Sequence, residues 1–174
     1  MSTDIETLVR RAVTDMVERE RDAEVRRAKE RCRAKRIETL SLADAKYLAE
    51  QVEREAERMG VRAVVAIADE GGNLKLCECM DDSYLASRDI AVNKAYTCVA
   101  LKMSTAKLAL LAAPGGELYG IQHTNGGRIV IFGGGDPLTL RGRIVGAIGV
   151  SGGSAEQDTA LSAYGRRIFE EAFI

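Results

Sequence analysis

Residues 63–80 read AVVAIADEGGNLKLCECM, and this stretch sets the fold class. Ala63 to Ala68 is an unbroken apolar run rich in Val and Ile, the pattern of a strand covered on both faces. Asp69-Glu70-Gly71-Gly72-Asn73 then gathers turn-forming residues into a hairpin loop. Leu74 to Met80 returns as the second strand. A hairpin this early in the domain argues for antiparallel pairing, because parallel strands need a long crossover between them.

Helical patterns flank the hairpin. Ser41 and Asp44 have the spacing of a helix N-cap arrangement. Leu42, Ala45, Leu48, Ala49, Val52 and Ala56 mark the buried face of a helix that ends near Gly60. Ser83 to Met103 is predicted helical, with Ile90, Ala91, Ala95, Cys98, Val99 and Leu101 as its apolar positions. Ser104 caps a short helix through Leu111, which Pro114-Gly115-Gly116 ends. Strands are expected over Arg128–Phe132, Leu138–Leu140 and Arg143–Val150, with Gly133-Gly134-Gly135-Asp136-Pro137 as a turn. Ser154 and Gln157 form a capping-box pattern for a last helix, Ala155–Phe169. The expected class is α/β of the α+β kind: an antiparallel β-sheet flanked by helices, over residues 39–174.

Two segments precede this domain. In residues 1–18, Ile5, Leu8, Val9, Ala12, Val13, Met16 and Val17 recur at helical spacing, so an amphipathic helix is predicted. Residues 19–38 are almost continuously charged, with Arg and Lys in excess, and read as a linker.

Composition narrows the function classes. The 174 residues carry a formal net charge of −1, which gives no global field for nucleic acid or an anionic membrane. Aromatic residues make up 5%, too few for the stacking platforms of single-stranded nucleic-acid binding. No run approaches a membrane span, and no apolar leader opens the chain, so a cytoplasmic protein is expected. Its four cysteines, Cys32, Cys77, Cys79 and Cys98, are then reduced thiols. Cys77 and Cys79 share a strand face and read as a partly buried, inert pair. One histidine and four cysteines make a poor zinc set.

There is no GxGxxG after the first strand, no P-loop and no G-x-S-x-G elbow. The chain reads more readily as a binding protein than as an enzyme. Its candidate site residues lie chiefly in the Gly-rich half. His123, with Tyr119, Asn125 and Arg128, occupies a loop and is the sole imidazole for a metal or a proton transfer. Arg128 can grip a carboxylate or cover the sheet edge. Ser151, Gly152 and Gly153 precede a helix whose dipole favours an anion, although Glu156 and Asp158 already place negative charge there. Gly133 to Gly135 suit an anion nest or, more simply, a tight turn. Lys94, midway along a helix, reads as a solvated or snorkelling residue, with ligand contact as the alternative.

An ordered series of motifs carries a resemblance. Val64-Val65-Ala66-Ile67-Ala68-Asp69-Glu70-Gly71-Gly72-Asn73-Leu74 is followed by Met80-Asp81-Asp82, Asp89-Ile90-Ala91 and Lys94-Ala95-Tyr96-Thr97. Pro114-Gly115-Gly116, Tyr119-Gly120, Asn125-Gly126-Gly127-Arg128 and Gly133-Gly134-Gly135-Asp136-Pro137-Leu138 come next. Gly146-Ala147-Ile148-Gly149-Val150-Ser151-Gly152-Gly153 and Glu156-Gln157-Asp158 close the series. Together they resemble the GlcG/HbpS family, which includes the C-terminal domain of the PduO adenosyltransferase. The resemblance implies haem or a corrinoid as ligand, and a homo-oligomer that in many members is an octamer. A PduO-type member is associated with a haem-ligating histidine near its first domain helix, whereas Leu42–Met59 here contains none. The adenosyltransferase activity belongs to a different PduO domain. Residues 1–18 resemble the encapsulation peptides of bacterial microcompartment cargo, which implies a shell-protein partner and a place in the compartment lumen. The functional expectation is a small-ligand-binding accessory protein of a microcompartment pathway. The alternatives are an enzyme acting on a small carboxylate or aldehyde, and a non-catalytic oligomeric scaffold.

Overall fold

The computed structural model describes residues 39–173, together with Met16. The expected N-terminal helix, apart from Met16, the charged linker and Cys32 lie outside the described residues.

The described fold starts at Ser41. Its side chain accepts the Asp44 N–H at 3.1 Å, while the Asp44 carboxylate accepts the Ser41 N–H at 3.1 Å. This reciprocal cap opens helix α1, Leu42–Arg58. Ala45, Leu48, Ala49, Val52 and Ala56 are buried as the periodicity requires. Leu42 is instead 49% exposed, and Leu40, just ahead of the cap, takes the core position. Strands β1 (Val64–Asp69) and β2 (Leu74–Cys79) form the expected hairpin. Asp69 ties its tip: Oδ1 accepts the N–H groups of Gly71 and Asn73, both at 2.9 Å.

Helix α2 runs Ser87–Leu101, starting later than expected because residues 83–86 close as turns on Met80 and Tyr84. Helix α3, Thr105–Leu111, is capped by Ser104. Strands β3 (Gly135–Leu140) and β4 (Arg143–Ser151) pair through a two-residue turn in which Arg141 and Gly142 both have positive φ, 49° and 77°. That geometry suits the twist of a hairpin. Helix α4 extends from Ala155 to Phe173, past the expected end. Its cap is the reciprocal Ser154–Gln157 pair.

The sheet order is β2-β1-β4-β3, with every pairing antiparallel. Register fixes its two faces. Val65 opposite Val150, and Ile67 opposite Ile148, pack with Leu48 and Val52 of α1 and Leu161 of α4. The other face presents Val64, Ala66 and Gly149, and α2 lies on it through Ala91. β1 is covered on both sides, which explains its unbroken apolar run.

Two expectations fail in the segment before β3. Arg128–Phe132 is not a strand; Ile129 and Val130 are buried, but the Val130 N–H donates to Thr97 Oγ1 on α2 at 3.0 Å. The bond that a strand would give a neighbour is therefore spent on a helix side chain. Nor is Gly133–Pro137 all turn, because β3 begins at Gly135. Pro137 is tolerated there because β3 is an edge strand.

Candidate functional site

Lys94 lies inside the domain of residues 39–173, not on its surface. Its side chain is wholly buried, contrary to the solvated or snorkelling reading. The ammonium donates to Asp158 Oδ2 at 2.7 Å and to the Val150 carbonyl at 2.8 Å. The Phe132 ring lies over it, 4.9 Å from the nitrogen to the centroid. Gly134 makes room: a Cβ there would stand 2.5 Å from Lys94 Nζ. Gly134 also has φ 114°, a conformation that L side chains rarely adopt. Burial pulls the Lys94 pKa below its usual value, while the Asp158 carboxylate works in the opposite direction. The second Asp158 oxygen accepts the Gly153 N–H at 2.9 Å. One buried ion pair thus joins α2, the end of β4, the β4–α4 loop and the first turn of α4.

A pocket of about 290 Å³ opens over this pair. Ser87, at the start of α2, and Ser151, at the end of β4, line it side by side, the Ser151 hydroxyl donating to Ser87 Oγ at 3.2 Å. Gly152, Gly153 and Asp158 complete its polar side, and Phe132 is part of its apolar wall. Gly152 has no alternative: a Cβ would strike the Arg62 carbonyl oxygen at 2.4 Å. Of the residues singled out from sequence, Ser151, Gly152 and Gly153 line the pocket and Lys94 lies behind its Asp158 wall.

The other sequence candidates form a different group. The Arg128 guanidinium stacks on the Tyr96 ring at 3.6 Å, and its Nε donates to Asn93 Oδ1 at 3.4 Å. The stacking is a cation–π contact. It does not cover the sheet edge as one reading held. The Asn125 amide donates to the Tyr96 hydroxyl at 3.4 Å. His123 ends a short 3₁₀ turn, Ile121–His123, and is exposed; Tyr119 is 66% exposed. His123 Nε2 lies 3.3 Å from the Gln122 amide nitrogen. Gln122 Oε1 is buried with no hydrogen-bond partner among the described residues. Whichever way that amide is turned, one of its polar atoms remains unsatisfied.

Burial, then Cys79 beside it, pushes the Cys77 thiol up to about 11, and burial also raises Cys98. Cys77 is half-buried as expected, whereas Cys79 is exposed, so the pair is not buried together. Gly133–Gly135 are packing residues, not an anion nest: Gly135 sits against Cys98 and Thr105, and its N–H donates to Thr105 Oγ1 at 2.9 Å. A second hollow of about 410 Å³ lies between α1 and α4, but its Arg166 is paired with Glu170 and its Arg167 with Tyr164.

Sequence reasoning did not find Ser87 or Phe132 and took Asp158 only as a first-turn acid. Ser87 gave no cue beyond its position near a helix start.

Known proteins share this architecture. Residues 40–167 match the family model described as haem degrading protein HbpS-like. The chain belongs to the HbpS-like family. It is 45% identical over 139 residues to an uncharacterised 15.0 kDa protein of the dhaT-dhaS intergenic region of Citrobacter freundii, covering 80% of this chain and 98% of that one. It is 39% identical over 123 residues to the corrinoid adenosyltransferase PduO of Salmonella typhimurium, covering 71% of this chain but only 37% of PduO. The crystal structure of a PduOC:heme complex superposes with a TM-score of 0.72 at 36% identity, over 74% of this chain and 94% of that one. The fold expected from the motif series is thereby established.

The residues can be tested against a haem. Haem iron takes an imidazole, thiolate, thioether or phenolate ligand. Helix α1 offers no histidine, and the raised Cys77 and Cys98 thiols are poor thiolate donors. His123 is an exposed imidazole that would be available to hold a haem iron, and the Gln122 amide beside it has a buried, unsatisfied polar atom.

Proposed function

We propose that the chain is a ligand-binding accessory protein of a bacterial microcompartment pathway and that its ligand is a tetrapyrrole, haem or a corrinoid. The observation that carries this reading is the kinship with PduOC, crystallised with haem, and with the corrinoid enzyme PduO. The chain matches only 37% of PduO, so the adenosyltransferase activity does not transfer with the likeness. When bound, haem would supply an iron centre; this chain's part is to offer the His123 imidazole and the Tyr119–Arg128 loop.

Self-association belongs to the same proposal, with an octamer as its upper form. Tyr84, Leu85, Leu110 and Tyr119 are 72%, 95%, 78% and 66% exposed, an apolar excess that suits contact with further copies. No helix among the described residues is long and apolar enough to cross a membrane. The shell-protein contact through residues 1–18 rests on sequence pattern.

Titrating the full chain with haemin, and separately with cobalamin, should give a saturable absorbance change with at least one of them. Flat titrations with both would reject the tetrapyrrole. With haemin, His123→Ala is expected to abolish the spectrum of a His-ligated iron, and an unchanged spectrum would assign the iron to another residue. Residues 1–20 fused to a fluorescent protein should co-localise with compartment shells, and diffuse fluorescence would reject the targeting role.

A further inference from the structure

Building on the tetrapyrrole reading, we propose that Arg128 is a specificity-determining residue: it pairs with a free carboxylate on the rim of the ligand, and so favours a ring with acid side chains over one whose acids are amidated. Arg128 is set in place before any ligand arrives. Its guanidinium lies on the Tyr96 ring, 3.6 Å from the centroid, and its Nε donates to Asn93 Oδ1 at 3.4 Å. Its backbone N–H donates to the Asn125 carbonyl at 3.3 Å. Two residues on, the Val130 N–H is held by Thr97 Oγ1 at 3.0 Å, which docks this segment on α2.

The aromatic platform is fixed too. Gly72, in the first hairpin, packs so close that a Cβ there would stand 3.2 Å from the Tyr96 ring. The Tyr96 hydroxyl accepts the Asn125 amide at 3.4 Å. One stack thus joins α2, the hairpin tip and the Tyr119–Arg128 loop.

The outer edge of the guanidinium is unspent. Its two terminal nitrogens carry four N–H donors, and none meets an acceptor among the described residues. No carboxylate among those residues pairs with Arg128. The acids closest along the same elements are occupied. Asp89, one turn before Asn93 on α2, pairs with Arg88 at 3.4 Å, and Asp69 holds the Gly71 and Asn73 N–H groups. Arg141 and Arg143 also lack an ion pair, which is ordinary for surface arginines, but no side-chain contact orients them. Arg128 differs in being both unpaired and oriented. The rotamer freedom that a long side chain loses on binding is already lost here, so an arriving anion meets a prepared partner.

The planar fork selects the class of anion. Two parallel N–H donors match the two oxygens of a carboxylate, whereas an amide offers one neutral oxygen and an ammonium is repelled. His123 lies five positions earlier, with the 3₁₀ turns Ile121–His123 and Asn125–Gly127 in the interval. Five residues span at most about 18 Å when fully extended, and the turns shorten that reach. Imidazole and guanidinium therefore belong to one short surface segment. Haem carries propionates on its rim. The corrin ring of cobalamin carries amides there, and its negative charge is a phosphodiester on a side arm.

Absorbance titrations of the full-length chain with haemin, haemin dimethyl ester and cobalamin test the assignment. Haemin should bind about tenfold more tightly than its ester, the worth of a hydrogen bond to a charged group. Arg128→Ala should weaken haemin by a similar factor and leave the ester unchanged, so that the preference disappears. Arg128→Lys should recover only part of it, because an ammonium offers charge without the fork. Circular dichroism verifies folding of the variants, and the comparison of acid with ester in the unaltered chain stands without them. Equal affinity for haemin and its ester, or an Arg128→Ala change that weakens both alike, would overturn the role of Arg128 and leave the tetrapyrrole reading intact. So would binding of cobalamin alone, or an Arg128→Ala loss confined to cobalamin, which would put the phosphodiester on the guanidinium. Flat titrations with all three would overturn both.

Discussion

Lys94→Met should lower the unfolding free energy by about 3–5 kcal/mol, read from urea denaturation at neutral pH. The size follows from what the substitution leaves behind. Asp158 is 3% exposed, and Lys94 is its counterion. Methionine fills much of the same space but abandons a buried carboxylate and the Val150 carbonyl, which that ammonium held at 2.8 Å. Removing one partner of a buried pair is far more damaging than replacing both. Lys94→Met/Asp158→Asn should therefore recover part of the loss, because the charge goes while an oxygen remains for the Gly153 N–H. A Lys94→Met effect below about 1 kcal/mol would mean that the pair is a surface-like contact.

Gly149→Val is expected to cost about 3 kcal/mol, at the upper end for overpacking a core, and to reduce yield. Gly149 lies on β4 opposite Ala66, beneath helix α2. A Cβ there would stand 2.1 Å from the Ala91 carbonyl oxygen and 2.7 Å from the Ala95 nitrogen. Both obstacles are helix backbone, so no side-chain rotation relieves the clash; α2 itself must lift. Since α2 carries both Ser87 and Lys94, that movement should also open the pocket. Gly142→Val is a useful contrast because a Cβ at Gly142 meets nothing within 4 Å, although φ there is 77°. Its penalty should come from backbone strain alone, about 1–2 kcal/mol. Equal stability of Gly149→Val and wild type would contradict the close approach of helix and strand.

These two sites also explain what the sequence revealed and what it concealed. The first hairpin was legible because its information is local: an apolar run, turn chemistry tied by Asp69, and a return strand. Both reciprocal caps, Ser41–Asp44 and Ser154–Gln157, were legible for the same reason. The site is non-local. Lys94 and Asp158 are 64 positions apart, as are Ser87 and Ser151. Nothing in the helical pattern around Lys94 marks it as buried, because its neighbours on the buried face are Ala91, Ala95 and Cys98, small residues rather than large apolar ones. The strand expected at Arg128–Phe132 failed through tertiary competition. Ile129 and Val130 are buried as a strand reading requires, yet Thr97 takes the Val130 N–H. The glycines divide likewise: Gly142 serves a turn, whereas Gly134 and Gly149 provide close approach, a role that composition cannot distinguish.

The alternative reading of an enzyme acting on a small carboxylate needs Arg128 and Ser151–Ser154 to grip one anion. Arg128 stacks on Tyr96, and the pocket wall is built from Ser87, Phe132 and Asp158 together with Ser151 to Gly153. The Tyr119–Arg128 loop and the Ser151–Gly153 segment, both singled out from sequence, lie in separate places: one around the exposed His123, the other beside Ser87.

Native mass spectrometry of the full-length chain with haemin, and then with cobalamin, tests the binding role most directly, because one spectrum gives both assembly size and ligands per chain. The expected result is an oligomer whose mass increases by whole numbers of one of these tetrapyrroles, with the haemin adduct lost in His123→Ala. A chain that stays ligand-free with both, under conditions in which the folded mass is retained, would contradict it.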